Sequence, residues 1–255
     1  MNKDLLRQIT NVVAVIATIV INILANALPL NGQNTGDISD RFRVFFVPAG
    51  YVFSIWGLIY IGLIAFGVYQ ALPSQRANPR LRRVGYLFAL SCLANIAWLF
   101  CWHYGAFVLS VIVMLALLVL LITIYLRLEI GLVKVRATEK WCVDILFSVY
   151  LGWISVATIA NITDLLYYQG WGGWGISPQV WAVLMLAATV VLTGLMLFTR
   201  GDVAYALVVL WAALGIFFKQ LSTGLVAYAA LLACGAVLLL LVLRLVRARG
   251  APAAA

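Results

Sequence analysis

Five residues of the chain follow one another at the spacing of a helix face. Tyr150, Trp153, Ala157, Asn161 and Asp164 are three or four positions apart in a long apolar run, so on a helix they form one stripe. Aromatic faces can stack on a flat apolar molecule, and an asparagine amide can direct hydrogen bonds to its edge. The stripe therefore predicts a binding site for a flat, largely apolar ligand.

Two other apolar runs carry shorter stripes of the same kind. Trp56 and Tyr60 are four residues apart, and Asn95 and Trp98 are three apart. Polar groups in membrane helices favour the bundle interior, so we expect the three stripes to face one another and line an aromatic cavity. The alternative, in which the same side chains only pack the helices together, stays open on the sequence alone.

A loop rich in turn-forming residues precedes the run with Trp56, and we expect it to close the cavity as a lid. Pro48 and Ala49 join the loop to the helix, where a proline supplies a fixed φ and lacks a donor that is not needed. Asp164 lies at the outer end of its run, and we expect it to pair with Arg41 or Arg43 of this loop and so to hold the lid closed.

Catalytic and metal-binding patterns are missing from the sequence. There is no nucleophile–base pair, no pair of catalytic carboxylates, no phosphate-binding glycine loop and no dinucleotide fingerprint. The four cysteines, Cys92, Cys101, Cys142 and Cys234, lack the spacing of a metal site, and we interpret them as buried apolar residues. We expect no catalytic residues, no metal and no required cofactor, although a porphyrin or haem-like molecule could be the ligand.

Three titratable residues have structural interpretations. His103, the single histidine, ends an apolar run, where an interfacial position explains it better than a catalytic role. Lys219 also ends a run, and snorkelling of its ammonium group explains it. Asp144, at the start of its run, is expected to form a salt bridge with basic residues of the preceding loop.

The composition excludes a soluble globular domain. The chain of 255 residues is 65% hydrophobic and 10% charged, against about 45–50% apolar and about 25% charged in soluble domains. Continuous apolar runs of about 20 residues indicate membrane-spanning helices, since barrel strands would alternate. The predicted fold is an all-α polytopic membrane bundle with eight spans: 9–28, 50–71, 84–103, 105–126, 141–163, 179–199, 203–218 and 222–246.

The basic residues separate by side when these spans alternate. Fourteen of the seventeen Lys and Arg fall on one side, and only Arg41, Arg43 and Lys219 fall on the other. By the positive-inside tendency, both termini face the cytoplasm and the lid loop faces outside, as in a bacterial inner membrane. Membrane topology thus explains the net charge of +9, and we expect membrane lipid but no nucleic acid as a partner.

Three motifs resemble those of a known membrane protein family. They are Phe46-Val47-Pro48-Ala49 leading to Trp56 and Tyr60, Ala94-Asn95-Ile96-Ala97-Trp98, and Val149-Tyr150-Leu151-Gly152-Trp153 with Ala157-Thr158 and Asn161. Over residues 9–168 they are similar to the translocator protein family, also called tryptophan-rich sensory proteins.

The resemblance implies a five-helix core that binds porphyrins, other tetrapyrroles or sterol-like ligands beneath the first loop, commonly as a homodimer. It implies the function of a sensor, regulator or carrier, with transport of such ligands or photo-oxidative degradation of porphyrin as alternatives. Carried over position by position, it implies a pocket lined by Trp56, Asn95, Trp98, Tyr150, Trp153 and Asn161, with Tyr60 beside them.

The chain also departs from the family pattern. Val47 and Val149 stand where the family has prolines, and Gly50 replaces an aromatic residue. Three additional spans could cover a face that short members use for dimerisation. We divide the chain into a ligand-binding core, an outer aromatic loop, three additional spans and a disordered tail: 1–168, 169–178, 179–248 and 249–255.

Overall fold

The computed structural model describes residues 3–28 and 30–250, with side chains up to Arg247. These residues form helices and connecting turns, and none of them is in a strand. The prediction of an all-α membrane bundle is therefore confirmed. The long helices are α1 (Lys3–Ala27), α2 (Ile55–Ala71), α3 (Leu87–His103), α4 (Phe107–Arg127), α5 (Ile145–Tyr168), α6 (Pro178–Arg200), α7 (Val203–Lys219) and α8 (Gly224–Gly250).

The long helices coincide in position with the predicted spans. Six of them are long and apolar enough to cross a bilayer, α2 as part of Gly50–Ala71 and α5 as part of Ala137–Tyr168. The other two, α3 and α7, are shorter apolar helices of 17 residues each. At 1.5 Å per residue, 17 residues give about 26 Å of helix, the short end of the range for a span. α1 begins at Lys3 rather than at residue 9, and hydrogen bonds to backbone carbonyls order its first turns. Gln8 donates to the carbonyls of Gln70 and Leu72, and Arg7 donates to the carbonyl of Arg76.

α5 lies at the centre of the bundle. In its most apolar 18-residue stretch 72% of the residues are buried, against 33–39% in the other five long spans. It packs against α2, α4 and α7. Gly152 permits the approach of α7, since a Cβ at this position would lie 3.2 Å from Cβ of Val208. Because α5 is surrounded, its different faces can line different cavities.

A buried ionic cluster joins three segments at the end of the bundle where the basic residues gather. Arg80, whose side chain is 8% exposed, pairs with Glu139 at 2.5 Å and with Asp144 at 2.9 Å. Its guanidinium also donates to the carbonyl of Leu128 at the end of α4. Asp144 thus forms a salt bridge with the loop after α2, not with the loop that precedes it, because the short helix Pro79–Val84 places Arg80 over this end of α5.

The last three helices pack together and meet the rest of the bundle chiefly through α7, which contacts α5, α6 and α8. Gly201, with a φ of 65°, and Asp202, whose carboxylate accepts from Tyr205 N at 3.0 Å, form the turn between α6 and α7. α8 continues to Gly250, so residues 249 and 250 of the predicted disordered tail are helical. The rest of that tail lies outside the described residues.

Candidate functional site

A small cavity lies beneath the segment 30–54 between α1 and α2, which we call the lid. We call the end of the bundle that carries it the outer end. The cavity has a volume of about 40 Å³. It is lined from the lid by Thr35, Ser39, Pro48 and Phe53, from α2 by Trp56, from α3 by Trp98 and Trp102, and from α5 by Trp153, Val156, Ala157, Ala160, Asn161 and Asp164.

Five aromatic rings line the cavity, those of Phe53, Trp56, Trp98, Trp102 and Trp153. Trp153 of α5 makes edge-to-face contacts with Phe53 and Trp56, with ring centroids 5.6 Å and 6.3 Å apart. On the opposite wall Trp98 and Trp102 are stacked, 5.9 Å apart and within 17° of parallel. These offset and edge-on arrangements are the favourable ones for aromatic pairs, so the rings hold one another in place around the cavity.

The residues one layer deeper form a hydrogen-bonded chain across four helices. Tyr60 Oη donates to Asn22 Oδ1 at 2.9 Å, and Asn22 Nδ2 donates to Asn95 Oδ1 at 2.9 Å. Asn95 Nδ2 then donates to Tyr150 Oη at 3.1 Å. Tyr60, Asn95 and Tyr150, predicted to contact the ligand, therefore lie behind the cavity wall and join α1, α2, α3 and α5.

Asn161 lines the cavity, but its amide already has partners within the protein. Its Oδ1 accepts from Trp98 Nε1 at 3.1 Å, and its Nδ2 donates to Ser110 Oγ at 3.0 Å. Ser110 in turn donates to the carbonyl of Phe107 at 2.8 Å. Asn161 thus fixes the indole of Trp98 against α5 and joins α3, α4 and α5.

Two polar atoms at the cavity have no protein partner. They are Trp153 Nε1 and Asp164 Oδ1, and both side chains belong to residues only 2% exposed. Buried polar atoms are almost always hydrogen-bonded, and one left without a partner costs about 1–3 kcal/mol. One is a donor and the other is on a carboxyl group, so the cavity presents complementary chemistry to a molecule with both an acceptor and a donor.

The second half of the lid, residues 40–54, is attached to α7 by four interactions. Ala49 N donates to the carbonyl of Gly215 at 3.2 Å. Trp211 Nε1 donates to the carbonyl of Val52 at 3.1 Å, and Gln220 Nε2 donates to the carbonyl of Val44 at 3.4 Å. Asp40 forms an ion pair with Lys219 at 2.6 Å. Lys219 therefore has a lid partner rather than only snorkelling to the surface.

The first half of the lid, residues 30–39, is attached to the C-terminal end of α3. His103 Nε2 and Thr35 Oγ1 are 3.0 Å apart, and Trp102 Nε1 donates to the carbonyl of Thr35 at 3.2 Å. Asn31 Nδ2 donates to the carbonyl of His103 at 3.1 Å. His103 is buried, so it positions the lid from beneath and does not lie at the open interface.

The structure thus brings together part of the predicted site. Trp56, Trp98, Trp153, Ala157 and Asn161 line the cavity, as do Pro48 and Asp164 of the predicted lid set. Ala49 bonds to α7, while Arg41 is exposed and, among the described residues, forms no ion pair with Asp164.

Sequence reasoning missed several contributors to the site: Thr35, Ser39, Phe53, Ser110 and the α7 residues. A signal did exist for Asn22, which shares one helix face with Thr18 and Asn26 at four-residue spacing.

Within the described residues, no group of three or more His, Cys, Asp or Glu side chains is placed to hold a metal ion. The four cysteines are free, and Cys92 and Cys234 are buried.

Comparison with known proteins gives one match. A sequence model of the family described as TSPO-like protein matches residues 8–243. This region includes the last three helices as well as the part in which the motifs occur. No curated protein and no solved structure matches the chain. Because the match covers far more than half of the sequence, the chain belongs to the TSPO-like protein family.

Proposed function

We propose that this membrane protein binds a flat hydrophobic molecule of the tetrapyrrole or sterol type in the cavity beneath the lid and acts as a sensor, regulator or carrier. The observation that carries the proposal is the pair of buried, unpartnered polar atoms, Trp153 Nε1 and Asp164 Oδ1, in a cavity lined by five aromatic rings. A tetrapyrrole offers pyrrole N–H donors and carboxylate acceptors, and a sterol hydroxyl offers both, so either class can satisfy the two atoms.

The cavity must enlarge before such a ligand can enter. Its volume of about 40 Å³ is roughly that of one water molecule, whereas sites for drug-sized ligands occupy about 300–1,000 Å³. Phe53 is on the lid and contacts Trp153 across the cavity. Displacing the lid therefore removes one aromatic wall and exposes the faces of Trp56 and Trp153, so ligand entry is coupled to lid opening.

Packing below the cavity favours binding over passage across the membrane. The chain from Tyr60 to Tyr150 closes the floor. Deeper still, Phe66, Phe88 and Phe147 are packed with ring centroids 4.6–6.1 Å apart. A transporter would have to break both layers, whereas a sensor or regulator needs only the lid to move.

The proposal is tested by titrating the purified protein with protoporphyrin IX in the dark and following the shift of the porphyrin absorption band. We expect saturable binding that is about ten-fold weaker in Trp153→Phe and in Asp164→Ala, the effect of losing one hydrogen bond and its contacts. Trp141→Phe is the matched control, because Trp141 is 70% exposed at the opposite end. Equal affinity in all four proteins would overturn the cavity as the site.

A further inference from the structure

A second, larger cavity lies beside the first, on the other face of α5. Its volume is about 390 Å³, within the range of about 300–1,000 Å³ typical of ligand sites. Its walls come from the lid, α5, the aromatic loop and α6, among them Phe46, Ile162, Trp171 and Met185. The cavity thus exists only because α6 and the aromatic loop pack against the core.

The second cavity is apolar except at one side. Arg43 is the single charged residue among its described lining residues, and no carboxylate lines it. Arg43 is exposed and, within the described part of the chain, takes part in no ion pair. An arginine guanidinium is well suited to bind a carboxylate through paired hydrogen bonds. An apolar chamber with one free cation fits a molecule with an apolar body and an anionic head.

The aromatic wall of this cavity is already formed without a ligand. Trp171 and Trp181 line it with ring centroids 5.4 Å apart, and each of them also contacts Trp174, an exposed residue outside the cavity, at 5.3 Å and 5.9 Å. Trp181 Nε1 also donates to the carbonyl of Gly173 at 3.0 Å, which ties the aromatic loop to the start of α6. A wall held in this way needs little ordering when a ligand binds, and that favours affinity.

We infer that the second cavity binds a single-chain anionic amphiphile of the long-chain carboxylate class, with the chain between α5 and α6 and the head at Arg43. The site is separate from the proposed function. Ile159, Ile162 and Leu166 face it, whereas Ala157, Asn161 and Asp164 of the same helix face the first cavity. The two cavities share the lid but use different side chains of α5, so failure to bind a ligand in the first cavity does not exclude binding in the second.

The test uses the full-length protein in nanodiscs of zwitterionic phosphatidylcholine and a palmitate that carries a photoreactive group at the end of its chain. Labelled peptides are identified by mass spectrometry. We expect saturable labelling within residues 159–185. Unlabelled palmitate should compete at least ten-fold better than hexadecanol, which has the same chain without the charge.

Two variants test the placement, each with a neighbouring control. Arg43→Gln should weaken palmitate binding about ten-fold, as expected for loss of a charge-assisted hydrogen bond, whereas Arg41→Gln should not. Met185→Trp should fill the cavity and abolish labelling, whereas Leu184→Trp should not, because Leu184 is exposed and does not line the cavity.

Four results would overturn the inference. The first three are labelling that does not saturate, labelling that persists in Met185→Trp, and equal competition by hexadecanol. Phosphatidylglycerol added to the nanodiscs separates a bilayer lipid from a free carboxylate. If it displaces palmitate as effectively as palmitate itself does, the occupant is a two-chain membrane lipid and the single-chain assignment is wrong.

Discussion

Gly215 of α7 lies where that helix meets the lid. A Cβ at this position would overlap the side chain of Val52 and lie 3.0 Å from Cβ of Pro48. The carbonyl of Gly215 also accepts the hydrogen bond from Ala49 N at 3.2 Å. We therefore expect Gly215→Ala to push the lid away from α7 and to favour an open lid.

The size of this effect follows from two contributions that act in the same direction. Overpacking a well-packed contact costs about 1–3 kcal/mol, and the weakened hydrogen bond costs about 0.5–1.5 kcal/mol. The greater helix propensity of alanine stabilises α7 equally with the lid open or closed, so it does not change the balance between the two states. The bias of about 1.5–4.5 kcal/mol corresponds to a shift of about 10- to 2,000-fold toward the open lid.

Hydrogen–deuterium exchange of peptides covering residues 45–54 measures this shift, because exchange of these amides requires local opening. Gly235→Ala is the matched control, since a Cβ on Gly235 of α8 meets nothing within 4 Å. We expect faster exchange of the lid in Gly215→Ala only. Unchanged lid exchange in that variant, or an equal increase in the control, would refute the role of α7 in closing the lid.

Two further predictions concern stability, measured as the free energy of unfolding in a denaturing detergent titration. Arg80→Met should lower it by about 3–5 kcal/mol, because Glu139 and Asp144 are left as buried charges without their ion-pair partner. Arg82→Met should lower it much less, because the Arg82 side chain is exposed and its ion pair with Asp4 is screened by solvent. Similar losses in the two variants would contradict the role of the buried cluster. Asn22→Val should lower the free energy of unfolding by about 1–2 kcal/mol, because it removes the hydrogen bonds to Tyr60 and Asn95. Asn26→Val should leave it nearly unchanged, because Asn26 is exposed and bonds only within its own helix.

The helices were predictable because continuous hydropathy and helical spacing are local properties of the sequence. The positions of Trp56, Trp98 and Trp153 around one cavity followed from the rule that polar and aromatic stripes in a membrane helix face the bundle interior. The stripes could not show which asparagine amides remain free to bond to a ligand. Asn95 and Asn161 bond to neighbouring helices, because the rotation of each helix decides whether an amide meets a side chain or a ligand.

The part played by α7 could not be predicted from its residues. Gly215, Trp211 and Gln220 act on the lid through backbone atoms more than 150 positions away in the sequence, and no periodicity within α7 reports such contacts. The sequence indicated an interfacial lysine at Lys219, whereas in the structure it forms an ion pair with Asp40 of the lid. Long-range backbone contacts of this kind depend on how the extra helices dock on the core.

The most direct test of the account is a structure of the protein with protoporphyrin IX bound. The account predicts the macrocycle beneath a displaced lid, stacked on Trp56 and Trp153, with donors or acceptors within hydrogen-bond distance of Trp153 Nε1 and Asp164 Oδ1. Porphyrin found only outside this cavity, whether between α5 and α6 or on the lipid-facing surface, would contradict it.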